Sequence, residues 1–93
     1  MDQQNAAETL ALKAVAWLVA QDDLLPVFLG SSGLSEQDLK QNFSDPDLLG
    51  SVLDFILMDD AWVMRFCDSE GLAYDRLMQA RASLPGGAAV HWT

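Results

Sequence analysis

Cysteine, histidine and basic residues are scarce here: one Cys, one His, and five Lys and Arg together among 93 residues. A single cysteine, Cys67, excludes an intrachain disulfide and a cysteine-based zinc cluster, and is compatible with a reducing cytoplasm. The single histidine, His91, stands close to the C-terminus, with no neighbour that would set its tautomer for catalysis or metal binding. Five basic residues against fourteen acidic ones leave a net charge of −9. A field of that sign repels phosphate and anionic lipid, so a basic or neutral partner is expected and nucleic acid is not.

Long apolar runs are also missing. Val52 to Met58 is interrupted by Asp54 and stopped by Asp59 and Asp60, far short of the roughly 18 residues a membrane span requires. The start, MDQQNAAETL, lacks the basic residues of a secretory signal, and the apolar stretch behind it is broken by Lys13 and ended by Gln21, Asp22 and Asp23. A soluble, cytoplasmic protein without a membrane segment is expected. Proline and glycine are few, at three and six, while 51% of residues are hydrophobic. One small core is therefore within reach, and residues 1–87 are expected to form a single helical domain with 88–93 as a tail.

The remaining pattern is helical. Asn5 and Glu8 have the spacing of an N-cap and its capping-box partner, predicting helix 1 from about Ala6 to Ala20 with Leu10, Ala14, Trp17 and Leu18 on one stripe. Asp22 or Asp23 is the expected cap of helix 2, with Pro26 in its first turn and Leu25, Phe28 and Leu29 on its apolar face. Gly33 stands where a helix end needs positive φ, Leu34 follows as the apolar contact, and Ser35 opens helix 3 by accepting from the N–H of Asp38; Leu39 and Phe43 are expected to face inward. Asp45-Pro46-Asp47 starts helix 4, whose apolar residues cover more than one face and mark it as the centre of the core. Asp59-Asp60 begins helix 5, Gly71-Leu72 ends it, and helix 6 carries Tyr74, Leu77, Met78, Ala80 and Leu84 before Pro85-Gly86-Gly87. Trp17, Trp62, Met58, Met64 and Met78 are core candidates.

Displacing the chain by 38 residues aligns Leu10–Asn42 with Leu48–Ala80 without a gap, and eight of the 33 pairs are identical. They include Phe28/Phe66, Gly33/Gly71, Leu34/Leu72 and Leu39/Leu77. The fold class expected is all-α: a compact bundle of five or six short helices, arranged as two pseudo-symmetric helix-helix-turn-helix repeats if the alignment reflects structure. Ala73 stands opposite the capping Ser35, so the start of helix 6 lacks the cap that marks helix 3.

Few constellations carry chemistry. The acidic pairs Asp22/Asp23, Asp45/Asp47, Asp59/Asp60 and Asp68/Glu70 fall mostly at helix starts and lack the ligand spacing of a calcium loop. No phosphate loop, nucleophile elbow or Cys-His pair is present. Cys67 beside Asp68 is a structural cysteine, because a neighbouring carboxylate disfavours the thiolate. The Gly-Leu turns also have the outline of a DNA-binding helix-turn-helix, with the helix after Gly71 as the reading helix and Arg76, Gln79 and Arg81 as its contacts, but so few cations neutralise little phosphate.

Taken together, AETLALKAVAWLVAQDDLLPVFLGSSGLSEQDL, DPDLLGSVLDFILMDDAWVMRFCDSEGL and the closing ARASLPGG resemble a family of small bacterial proteins classed only as a domain of unknown function, over about residues 6–87. That resemblance implies an all-helical fold and brings no activity, cofactor or catalytic residue. The expected role is a small acidic protein-interaction module, not an enzyme, with Trp92, Arg76 and Arg81 as candidate contact residues and no cofactor or metal. The alternatives are the helix-turn-helix regulator and, behind it, a metal-dependent enzyme. Whether the chain works as monomer or dimer is open at this level.

Overall fold

The structure, a computed structural model, describes residues 2–43 and 45–84, with backbone alone for 2–4. Among them are six helices and no strand: α1 (Asp2–Val19), α2 (Leu25–Ser32), α3 (Glu36–Gln41), α4 (Pro46–Leu57), α5 (Asp60–Glu70) and α6 (Asp75–Ser83). The all-α bundle expected from the periodicity is what forms. Trp92, His91 and the Pro85-Gly86-Gly87 stop lie outside the described residues.

Helix α4 lies at the centre, in contact with α1, α2, α5 and α6. Seven of its twelve residues are buried, among them Val52, Leu53 and Ile56 with no exposed surface. Burial of such side chains stabilises by about 1.5–3 kcal/mol each, so this one helix supplies much of the apolar driving force. One cluster of buried side chains joins it to Ala11, Ala14 and Leu18 of α1, Phe28 of α2, Leu39 of α3, Phe66 of α5 and Leu77 of α6.

The helix ends follow local chemistry. Ser35 accepts from the Asp38 N–H at 3.1 Å while the Ser35 N–H donates to Asp38 at 3.0 Å, a complete capping box. Asp45 and Asp59 accept from the N–H groups two residues on, at 3.0 and 2.8 Å. Gly33 and Gly71 are left-handed at φ 76° and 68°, the only positive-φ residues described, and close α2 and α5. No atom crowds the space a Cβ would take at either glycine, so backbone conformation alone selects them.

The 38-residue displacement is visible in three dimensions. Helices α1 and α4 end at Val19 and Leu57, and α2 and α5 at Ser32 and Glu70, each pair 38 apart. Ser31 and Ser69 donate to the carbonyls of Phe28 and Phe66 respectively. The ring of Phe66 meets Trp17 edge-on at 5.6 Å and 74°, and Phe28 meets Phe55 edge-on at 5.3 Å and 70°. Exchanging the halves turns the first contact into the second, so each half's long helix receives the other half's phenylalanine.

Several sequence-based expectations are corrected. Helix α1 begins at Asp2, so Asn5 lies inside it instead of capping it. Neither Asp22 nor Asp23 caps α2; the N-cap is Leu24 in helical conformation, reached through a turn in which Leu24 and Leu25 both donate to the Gln21 carbonyl. Phe43 stands 51% exposed because α3 stops at Gln41 and the chain turns away before the core. Met58, Met64 and Met78 are exposed at 75, 42 and 64%, as is Tyr74. Their helices bury other faces, through Ile56, Val63 and Leu77.

Candidate functional site: two related grooves

Two open grooves mark the surface. The first, of about 340 Å³, runs between the start of α1 and the length of α6, bordered by Ala7, Leu10, Arg76, Gln79, Ala80 and Ser83 among others. The second, of about 440 Å³, lies between the α2–α3 corner and the start of α4, bordered by Leu34, Asp38, Asn42, Asp45, Asp47, Leu48 and Ser51, with Ser32 at its edge. They are counterparts. Asp38 is displaced by 38 residues from Arg76, Asn42 from Ala80, and Asp45 and Leu48 from Ala7 and Leu10.

Their chemistry differs. In the second groove the half-buried Leu34 and the buried Leu48 share the lining with three carboxylates. Asp38 and Asp45 each use one oxygen as a helix cap. The first groove carries the Arg76 guanidinium where the second carries Asp38, and small alanines where the second carries Asn42 and Asp45.

The arginines separate into different roles. Arg81 reaches across from α6 to hold Asp54 of α4 through two bonds, Nε to Oδ1 at 2.7 Å and Nη2 to Oδ2 at 3.1 Å. Its side chain is 16% exposed and its Nη1 is buried without a hydrogen-bond partner among the described residues. Gly50 makes room for it: a Cβ there would stand 3.2 Å from the guanidinium carbon. Arg81 thus clamps α6 onto α4, a role its sequence position does not announce. Arg76 borders the first groove and is exposed; Arg76 and Arg81, paired by sequence as contact residues, sit in different surroundings.

Arg65 is a second clamp that the sequence did not signal. It donates to Asp23 at 3.2 Å and to Gln21 at 2.9 Å and lies 5.8 Å from the Trp17 ring centre, tying the α1–α2 connection to α5. The bond from Arg65 holds the Asp23 carboxyl below its ordinary pKa of 3.8. Burial, reinforced by the charges of Asp68 and Asp75, raises the Cys67 pKa. That thiol is enclosed and protonated, in keeping with a structural cysteine. Tyr74 donates to Asp68 at 2.9 Å, which raises its phenol pKa, chiefly through that bond.

Among the described residues no group of three or more His, Cys, Asp or Glu is placed to hold a metal ion, and no helix is long and apolar enough to cross a membrane. Fold and surface together define a small all-α domain with two grooves built on one repeated plan. The chain belongs to the family described as "Protein of unknown function (DUF3572)", whose match spans residues 4–87 and so covers the stretch on which the resemblance rested. No curated protein and no solved structure matches it.

Proposed function

We propose that this chain is a non-catalytic protein-interaction module of the cytoplasm, with a basic or neutral protein as its partner. The observation that carries the reading is the exposure of Met58, Met64 and Met78, together with Val27, Phe43 and Tyr74, on a domain of this size. Methionine is unbranched and polarisable, and adapts to the shape of a partner at little conformational cost. The net charge of −9 then selects against anionic partners. Arg76 borders a groove from which it can contribute a single cationic contact, and Trp92 remains a candidate anchor.

The helix-turn-helix alternative is less well supported, because Arg81, one of its reading residues, is engaged with Asp54. Capture from the native cell extract on immobilised protein, comparing the natural chain with a Met58→Ser, Met78→Ser variant, tests the reading. The expected result is a partner held by the natural chain and lost by the variant, with the melting temperature within about 2 °C, because exposed substitutions rarely change stability by more than about 0.5 kcal/mol. Equal capture by both would overturn it. So would duplex DNA binding that falls steeply with salt and disappears on Arg76→Ala.

A further inference from the structure

We infer that the groove between the α2–α3 corner and the start of α4 is a docking surface for a partner segment that carries lysine or arginine beside apolar side chains. The inference rests on the protein-interaction reading and adds to it a surface apart from Met58, Met64 and Met78, with the partner chemistry that surface would take.

Shape is the first argument. In the second half of the molecule the positions Ala80–Ser83 form the last turn of α6, with Ala80 buried. Of their counterparts in the first half, Asn42, Phe43 and Asp45 lie beyond the end of α3 at Gln41. The third helix of the first half is thus the shorter, six residues against nine, and the groove beside it has a volume of about 440 Å³ against about 340 Å³ for the other. The half-buried Leu34 and the buried Leu48 are among its lining residues and give it an apolar part.

Charge is the second. Asp38, Asp45 and Asp47 line the groove with no Lys or Arg among the lining residues. The start of α4 contributes only about half a positive charge, which three carboxylates outweigh. Asp38 and Asp45 spend one oxygen each on capping, and no hydrogen bond engages the Asp47 carboxylate among the described residues. Acceptor capacity remains for ammonium or guanidinium groups. A second copy of the chain is the poorer occupant, since both molecules carry −9.

The counterpart relation supplies a discriminating variant. Ser51, at the edge of this groove, corresponds to Lys13 in the first half. Ser51→Lys places a cation in the groove at an exposed position of α4, whereas Ala82→Lys places one on an exposed position of α6 that lines neither groove. Each raises the net charge by one, from −9 to −8, so the long-range field is matched.

The test is titration of the full chain with a synthetic amphipathic leucine-lysine peptide, monitored by amide chemical shifts. Shifts are expected at Leu34, Asp38, Asp47 and Leu48, with affinity reduced about fivefold by Ser51→Lys and unchanged by Ala82→Lys. Equal weakening by both variants, shifts centred on the α1–α6 groove, absence of binding, or shifts that depend on protein concentration without peptide would each overturn the assignment. Any of these outcomes would leave the interaction reading to be judged separately, since its own test turns on Met58 and Met78.

Discussion

The two halves of this molecule, Leu10–Asn42 and Leu48–Ala80, share the C-terminal ends of their first two helices and one reciprocal pair of edge-on aromatic contacts, but not their third helix. Helix α6 spans nine residues and packs against both α1 and α4, while its counterpart α3 spans six and buries Leu39 alone. The difference originates in the residues just beyond each helix. Asp45 must be extended, at ψ 124°, to cap α4 ahead of Pro46, so the chain has to leave α3 early. Leu84, which precedes Pro85 in the sequence, is likewise extended at ψ 155°, but there the helix has already run to Ser83. Arg81 then fastens α6 to Asp54, and the position corresponding to Arg81 in the first half is Phe43, which makes no such link. One repeated local plan thus yields a closed half and an open half, and the open half holds the acidic groove.

The largest effect that would sharpen this contrast concerns the buried leucines of the third helices. Leu77→Ala is expected to cost about 4 kcal/mol and Leu39→Ala about 2 kcal/mol by urea denaturation, because a cavity under α6 is walled by two helices whereas α3 can settle inward. Equal losses would mean that α3 is held as firmly as α6.

The two glycine turns should behave alike. Gly33→Val and Gly71→Val each force a β-branched residue into left-handed backbone and are expected to cost about 1–3 kcal/mol, lowering the melting temperature by several degrees. A change confined to one of them would break the equivalence of the corners at the position where the structure makes it closest.

The smallest effect belongs to Arg65 and Asp23, a pair with no counterpart in the other half, where Val27 and Ala61 stand. The folded state lowers the Asp23 pKa, so the pair contributes stability above the ordinary value of 3.8 and loses it as pH falls through the lower folded value. Melting curves of Asp23→Asn should therefore fall less steeply than those of the natural chain as acid is added below about pH 4. Parallel curves would show that the contact adds nothing to the fold.

Much of this architecture was legible in the residues. Ser35, Asp45 and Asp59 cap their helices as their positions announced, Gly33 and Gly71 take positive φ, and α4 is central because its apolar residues surround it. The acidic groove was not legible as a site: Asp45 read as a helix cap and Asp38 and Asp47 as first-turn acids, and only the fold brings them together with Leu34 and Leu48 around one groove. Asp23 had the spacing of a cap but turned to Arg65, a residue 42 positions away.

What the sequence by itself determined was where α3, α4 and α5 start and where α2 and α5 stop, because a cap or a left-handed glycine is settled by groups within a few residues along the chain. Which face each helix buries was decided by tertiary structure. Hydrophobicity permits Met58, Met78 and Phe43 to be core, but whether they are depends on a helix lying opposite, and among the described residues they stand exposed. The charged clamps obey the same logic: Arg81 is a plain surface arginine until α6 is laid across Gly50 and brings it to Asp54.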